Sequence, residues 1–293
     1  MMMMMIKSAL KRHSGPDPPK SWTLTAVKDT RHTAAWRRSA LAVILAHRSR
    51  FRHESYLTTN ELIDKPNDDF QGLPSLTTLC LRMLIDEFSP SEFIEYIVPC
   101  LPPHLRLQLI RYTAVHSPLS GAMLYPLYEP EGHADGELIF VGPATLRETY
   151  FLSPSTNKNL TSSVEEDRNV SQDWDSDDWA PSPLQSFIAM STRLSPSLLL
   201  TLPPTVTHMA LINLSMTIAL HRLPGVCPLL VFLDLSYNTW LNPVSNETAN
   251  SLRRLDWNRW SHLRMLCLRE CSIPDDVLVK VNGHRWEDVD IIH

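Results

Sequence analysis

The sequence predicts an α/β protein in which a small helical module precedes a short array of parallel strands. Two observations predict this order. Serines next to prolines, typical of helix starts, mark the first half of the chain, and leucines with a period of two residues recur in the second half. Glycine is scarce, with 8 residues in 293, which disfavours folds whose phosphate loops need glycine for close backbone approach.

Residues 1–70 are predicted to be a basic, largely disordered arm. Residues 1–53 hold eleven Lys and Arg against two acids, about +9, whereas the whole chain carries −5. A solvated tail is favoured over nucleic-acid contact or nuclear import, because no aromatic stacking pattern accompanies the charge. A mitochondrial presequence is a further alternative, although three prolines would interrupt its helix. One helical segment is predicted around Ala34–His47.

Residues 71–152 are predicted to form the helical module. The stretch S-L-T-T-L-C-L-R-M-L at 75–84 fits a leucine-repeat strand, but no similar stretch follows at the expected distance of about 24 residues, so such a strand would have no neighbour. The alternative is a helix with Ser75 as its N-cap. Its apolar stripe has helical spacing and consists of Leu76, Leu79, Cys80, Met83 and Leu84.

Two more helices and a strand are predicted in the same module. S-P-S-E at 89–92 is a capping box that opens the second helix. The predicted buried stripe of that helix is Phe93, Ile94, Ile97 and Val98. Pro102 and Pro103 start the third helix. G-E-L-I-F-V-G at 136–142 is the predicted strand, and residues 153–180 are predicted to be an acidic disordered linker.

Residues 181–293 contain a repeated pattern of apolar residues. L-L-V-F-L-D-L-S-Y-N (229–238) and H-L-R-M-L-C-L-R-E-C (262–271) share L-x-x-L-x-L, with Asn238 and Cys271 at the last position. Weaker copies begin at Val206 and Trp286, so that the four starts are 24, 33 and 23 residues apart. Period-two leucines direct one face of a strand into a core, and a terminal Asn or Cys can bond turn backbone.

This pattern resembles a short leucine-rich repeat array. The resemblance implies parallel strands that stack on one another and a concave face, between the core leucines, that binds a target protein. Ordinary parallel α/β strands are the alternative. The residues that the resemblance assigns to the target-binding concave face are Phe232, Asp234, Ser236, Arg264, Met265 and Arg269.

The spacing S-L-x-x-x-C-x-x-x-L at 75–84 resembles the BC-box, the helix by which receptor subunits of cullin–RING ubiquitin ligases bind Elongin C. The resemblance implies that Leu76 enters the Elongin C pocket, with Cys80 and Leu84 on the same helical face. A core helix with satisfied leucines and a buried thiol is the alternative.

A second segment resembles the cullin box, Φ-P-x-x-Φ-x-x-x-Φ. Leu101, Pro102, Leu105 and Leu109 match it, and the order of the two boxes is similar to that in Elongin A and in receptors that carry leucine-rich repeats. The resemblance implies that these four residues contact a cullin. L-P-P-H-L-R-L-Q-L-I (101–110) also resembles the opening of an F-box, which would dock a Skp-type adaptor, although the residues that follow lack the usual continuation.

No catalytic constellation, metal site or cofactor motif is identified, which argues against an enzyme. The five cysteines suggest reduced thiols in a cytoplasmic or nuclear protein, and no apolar run reaches the length of a membrane span. The expected function is a substrate-recognition or adaptor subunit of a cullin ligase that binds Elongin B/C or a Skp-type adaptor, a cullin and a target. A plain leucine-rich repeat interaction scaffold is the alternative.

Overall fold

A computed structural model describes five ranges of the chain, namely residues 33–51, 75–142, 182–242, 252–283 and 285–293. The predicted linker 153–180 and most of the predicted basic arm therefore lie outside the described residues. The described part is a mixed α/β structure. Its main helices are α1 (Ala34–Phe51), α2 (Leu76–Glu87), α3 (Pro90–Glu92), α4 (Pro103–His116), α5 (Gly121–Tyr128), α6 (Pro196–Leu200), α7 (Leu223–Val226) and α8 (Asp275–Asn282).

Six parallel strands form one sheet, and their spatial order is their order in the chain. They are β1 (Glu137–Val141), β2 (Ser186–Met190), β3 (His208–Ile212), β4 (Phe232–Asp234), β5 (Met265–Cys267) and β6 (Asp290–Ile292). The four strands predicted from the repeated leucines are therefore present, adjacent and parallel, as β3 to β6. The strand predicted at 136–142 is also present, as β1, and it joins the same sheet through β2, which was not predicted.

The apolar residues of the strands form a continuous row across one face of the sheet. This row, which we call the leucine row, consists of Leu138, Phe187, Met209, Leu233, Leu266 and Ile291. The last member corrects the predicted alignment of the fourth copy, which placed Val289 opposite Leu266. Trp286 is fully exposed and cannot fill the first leucine position. The two-residue shift keeps the same face of β6 inward because strand side chains alternate with a period of two.

A residue in the left-handed backbone conformation follows each of the first five strands, at the same sequence distance from the leucine row. Gly142, Ser191, Asn213, Tyr237 and Glu270 all have positive φ and lie four residues after their row member. Their amides continue the ladder beyond the strands: Ser191 donates to the carbonyl of Ile212 (2.9 Å), and Tyr237 to that of Arg269 (2.7 Å). The five strand ends thus have one repeated backbone geometry.

Asn238 satisfies the buried backbone between two of these strand ends. Its Nδ2 donates to the carbonyls of Leu211 and Leu235 (both 2.7 Å), and its Oδ1 accepts from the amide of Leu214 (2.8 Å). Cys271, at the equivalent position of the next copy, donates only weakly from Sγ to the carbonyl of Leu235 (3.4 Å). The predicted turn contacts of Asn238 and Cys271 are confirmed.

Both faces of the sheet are covered, as is usual for all-parallel sheets. The leucine-row face packs against residues of the segments between the strands, including Trp257 and Trp260, whose rings meet edge to face (5.9 Å between centroids). α1 and α4 lie side by side and cover the opposite face, where α1 contacts β3 and α4 contacts β1. The helix predicted around Ala34–His47 is thus present and forms part of the core.

The outer edge of β1 is closed by the backbone of Ala134, which pairs with that of Glu137 (2.9 and 3.0 Å), and by one side chain. The hydroxyl of Tyr128, at the end of α5, donates to the carbonyl of Ile139 (2.7 Å) and accepts from its amide (2.9 Å). An edge strand otherwise presents unpaired backbone groups to other chains. Ala134 and Tyr128 therefore close the edge of the sheet at β1.

The predicted helix starts of the module are confirmed. Ser75 accepts a hydrogen bond from the amide of Thr78, and Ser89 and Glu92 form both halves of a capping box. α3 then continues as a π-helical turn (Phe93–Ile97) and a 3₁₀ turn (Val98–Cys100). Because Pro99 within the latter has no amide hydrogen to donate, regular α-helical bonding cannot continue there.

Candidate functional site

α2 displays an apolar stripe on the surface of the described structure. Leu76 is 77 % exposed and Met83 61 % exposed, and Leu79 and Cys80 are exposed as well. Only Leu81 is buried in this helix. We call Leu76, Leu79, Cys80 and Met83 the α2 stripe. Two of the three residues assigned to Elongin C binding, Leu76 and Cys80, therefore face away from the core.

The π turn that follows α3 exposes two further apolar side chains. α2 packs against the turn, whose buried residue is Phe93. Ile94 and Tyr96 of the same turn are exposed. Ile94 was predicted to be buried, and that prediction is wrong. The turn inserts an extra residue into the helical repeat, and this rotates side chains relative to an ideal α-helix.

Other residues assigned to partner binding lie inside the fold. Leu84 is half-buried and packs against the core. Leu109 is fully buried in α4 and Leu101 is buried just before it, whereas Pro102 and Leu105 are half-buried. Apolar core packing already uses the side chains of Leu101 and Leu109, and the expectation that they contact a cullin stays a prediction.

The sheet face predicted to bind a target is covered by α1. Phe232, Asp234 and Ser236 are buried, so the expectation that they form an open concave surface is wrong. We call this side of the sheet the covered face. Met265 and Arg269 are half-buried and Arg264 is exposed beside it. The apolar contribution of α1 consists of Ala40, Leu41, Ile44 and Leu45, all buried.

Arg269 anchors the first half of α1. Its guanidinium donates to the carbonyl oxygens of Ser39 (2.9 Å) and Ala40 (2.8 Å) and also bonds the carboxylate of Asp234 (3.3 Å). The same group lies over the ring of Tyr237, 5.5 Å from its centroid. Burial raises the pKa of Asp234, and the charge of Arg269 opposes that shift. Arg269 thus joins the helix to the sheet at β4 and β5.

A buried ionic cluster anchors the other half of α1. Arg48 donates from Nε to Glu137 (3.0 Å) and from a terminal nitrogen to Gln185 (2.7 Å). Arg111 of α4 donates two further hydrogen bonds to Glu137, at 3.0 and 2.6 Å. Glu137 is completely buried, and its carboxylate therefore connects α1, α4 and the start of β1. Buried carboxylates require such pairing.

A pair of imidazoles lies between these two anchors. Nδ1 of His47 and Nε2 of His208 are 3.1 Å apart, and Nδ1 of His208 is 2.8 Å from the hydroxyl of Thr207. Burial, followed by the positive charges of Arg48 and His47, lowers the pKa of His208 to about 3. His208 is therefore neutral at physiological pH, and one proton lies between the two facing nitrogens.

Three of the five free thiols, those of Cys227, Cys267 and Cys271, are fully or partly buried, whereas Cys80 and Cys100 are exposed. Burial raises the pKa of the Cys227 thiol to about 12 and also raises the pKa of Cys267 and of Cys271, so these thiols stay protonated. Within the described ranges, no three His, Cys, Asp or Glu side chains are grouped as metal ligands would be. In the same ranges, no helix combines the length and apolar character needed to cross a bilayer. The surfaces described above are suited to binding.

Comparisons with protein-family models and with curated proteins found no match to the chain. The two candidate sites therefore depend on geometry and on the motifs themselves. They are the α2 stripe, which is open, and the covered face, which is occupied by α1.

Apart from Arg269, the residues that join α1 to the sheet were not found by sequence reasoning. Arg48, Arg111, Glu137 and His208 come from two helices and two strands that are far apart in the chain. Glu137 carried one local signal, an acid that opens an otherwise apolar strand. Nothing near Arg48 indicated its partner, because the two residues are 89 positions apart.

Proposed function

We propose that this protein is a substrate-receptor or adaptor subunit of a cullin ubiquitin ligase, with the α2 stripe docking Elongin C. The observation that carries the proposal is the exposure of Leu76 and Cys80, which stand where a BC-box has its contact residues. A stable helix that leaves its apolar side chains in water is the usual mark of a protein interface.

The size of the stripe suits a binding hot spot. Fully burying a side chain such as Leu or Met stabilises a complex by roughly 1.5–3 kcal/mol. Leu76, Leu79 and Met83 together therefore offer several kcal/mol, before the entropy of association is subtracted. Ile94 and Tyr96 widen the surface beyond α2, which favours a partner with a groove over one with a single pocket.

The cullin part of the proposal has a narrower basis. Leu101 and Leu109 are buried, so a cullin contact would use Pro102 and Leu105, which are partly accessible. The F-box alternative uses the same segment, and α4 likewise buries Leu107, Leu109 and Ile110. Docking through α2 is favoured because its apolar side chains are accessible, whereas most of those of α4 are not.

In the same proposal the parallel strands belong to a leucine-rich repeat array that serves target recognition. Three features support a repeat array: adjacent strands in chain order, a continuous leucine row and the asparagine at a strand end. A scaffold without a ligase role shares these three features. The α2 stripe, which such a scaffold does not need, is what favours the ligase subunit.

Co-purification of the full chain with Elongin B/C tests the proposal. We expect wild type to retain Elongin C and Leu76→Asp and Cys80→Asp to lose it. Val279→Asp is the matched control, since Val279 is a helical side chain with nearly the same exposure, 74 %. Retention of Elongin C by Leu76→Asp, or its absence from wild type, would contradict the BC-box assignment. Selective retention of a Skp-type adaptor would favour the F-box alternative. Retention of neither Elongin C nor a Skp-type adaptor would favour the plain scaffold.

A further inference from the structure

The covered face holds α1 partly through backbone atoms that every helix has. The two carbonyls that accept from Arg269, those of Ser39 and Ala40, are main-chain groups in the middle of α1. A bond of this kind does not depend on the side chains of the bound helix. It therefore recognises helical geometry and leaves sequence selection to other contacts.

Sequence selection by the sheet comes from an apolar strip and one basic side chain, while a second one, Arg37, bonds the carbonyls of Val115 and His116 at the end of α4. Leu41 and Ile44 are fully buried, and four residues after Ile44 the guanidinium of Arg48 bonds Glu137 and Gln185. Residues four apart lie on one side of a helix. The covered face thus selects a helix with a branched aliphatic residue one turn before an arginine.

The charges of the covered face remain paired without α1. Asp234 has Arg269, on the sheet itself, and the amide of Ser236 as partners (3.3 and 2.9 Å). Glu137 has Arg111 of α4 (2.6 Å). A buried charge is most unfavourable when it has lost all its partners. Departure of α1 would leave each of the two carboxylates with one cation, so neither would be unpaired.

The dimensions of α1 match the sheet. From Trp36, which packs edge to face on Tyr237, to Arg48 the helix is about 18 Å long at 1.5 Å per residue. Tyr237 follows β4, and three strand spacings, from β1 to β4, are about 14 Å, so that α1 is long enough to span them. A helix of three to four turns is therefore the length that reaches both anchors.

We propose that the covered face is a helix-binding surface, and that α1 occupies it in place of an amphipathic, arginine-containing helix of a target protein. The identification of that helix as part of a ligase target rests on the proposed function. The binding surface itself does not. A covalently attached helix competes at an effective concentration on the order of 1 mM, so a free helix binds measurably only when α1 is weakened.

The test uses a fluorescent peptide of residues 33–51 and the full-length chain. Ile44→Ala weakens α1 in the chain by removing a fully buried side chain. We expect this variant to bind the wild-type peptide at least about tenfold more tightly than wild-type protein does. The same peptide carrying Arg48→Ala should bind the variant at least about tenfold more weakly, because it lacks the bonds to Glu137 and Gln185.

Leu255→Ala is the matched control, because Leu255 is equally buried but belongs to the segment between β4 and β5. It should destabilise the protein without raising peptide affinity. Equal peptide capture by Leu255→Ala would show nonspecific binding to a loosened protein and overturn the proposal. So would failure of the Ile44→Ala variant to bind peptide, once hydrogen exchange shows that its α1 amides open.

If the α1 amides of the Ile44→Ala variant stay protected, the double variant Leu41→Ala/Ile44→Ala is tested in its place. Failure of the double variant to bind the peptide would also overturn the proposal. Adaptor retention is measured on the same preparations. Peptide binding without adaptor retention would refute the ligase function while leaving the helix-binding surface in place. Adaptor retention without peptide binding would refute the helix-binding surface while leaving the ligase function in place.

Discussion

α1 and α2 are both amphipathic helices, but the fold uses them in opposite ways. α1 buries its apolar residues between the sheet and α4, and its two halves are held by Arg269 and Arg48. α2 buries Leu81 and displays the four residues of the α2 stripe. Apolar spacing specifies a stripe on a helix. Whether that stripe is core or interface depends on what the rest of the chain supplies to cover it.

Introducing a charge into each helix should give the largest difference between α1 and α2 in the free energy of unfolding. Ile44→Asp places a carboxylate in a fully buried position, which we expect to lower the free energy of unfolding by more than about 4 kcal/mol. Leu76→Asp, at an exposed position, should change it by less than about 0.5 kcal/mol. Urea unfolding monitored by circular dichroism measures both. A small effect of Ile44→Asp would mean that α1 is not docked in solution.

Removing Glu137 should have the next largest effect. Glu137→Ala leaves Arg48 and Arg111 without their shared carboxylate, and breaking a buried ion pair in this way costs about 3 to 4 kcal/mol. Asp86→Ala serves as the control, because the Arg82–Asp86 pair is exposed on both sides and such pairs contribute about 0 to 1 kcal/mol. Denaturant midpoints at constant m compare the two variants. Similar losses in both would show that the cluster around Glu137 is solvated.

Within the strands, Asn238 and Cys271 offer a smaller comparison at equivalent positions. Asn238→Ala leaves two buried carbonyls and one amide without their side-chain partner, a loss of about 2 to 3 kcal/mol. Cys271→Ala removes one weak S–H donor and should lower the free energy of unfolding by about 1 kcal/mol or less. Thermal and urea unfolding of both variants can be compared directly. An equal loss would mean that the weak thiol contact matters as much as the amide network.

The helix caps and the strands show how far the sequence could predict the structure. The strand pattern and the caps at Ser75 and Ser89 are local signals. The structure has both caps and the first three copies of the pattern where they were predicted, and only the fourth copy is shifted, by two residues. β2 escaped prediction because Phe187 and Ala189 stand where the leucine pattern has leucines. The positive φ of Tyr237 also has no local signal, since such a conformation is ordinarily a position for Gly or Asn.

The candidate sites were less predictable than the strands. The residues of the α2 stripe were identified from helical spacing, but the spacing could not show that Leu84 and Leu109 turn inward. The covering of Phe232 and Asp234 depends on Arg269 reaching the backbone of residue 40, a contact across 229 positions. Contacts at such separation leave no periodic trace in a single sequence, because each partner satisfies only its own local pattern.

The last prediction concerns pH and the imidazole pair beneath α1. The pKa of His208 is lowered to about 3 in the folded state, first by burial and then by Arg48 and His47, against about 6.5 in the unfolded chain. Between these values the unfolded state binds a proton that the folded state does not. The free energy of unfolding should therefore fall as pH decreases below about 6.5, by up to about 1.4 kcal/mol per pH unit.

His208→Gln isolates this contribution, because its side chain does not titrate. We expect the variant to be less stable at neutral pH, through loss of the contacts to His47 and Thr207, but to show a shallower decline toward acid. Asp234, whose pKa is raised by burial, contributes a slope of the opposite sign and is present in both proteins, so it cancels in the difference. Urea unfolding from about pH 4 to about pH 8 measures that difference. Parallel pH profiles of wild type and variant would show that His208 is protonated as readily in the folded state as in the unfolded chain, and hence that α1 does not keep it out of water.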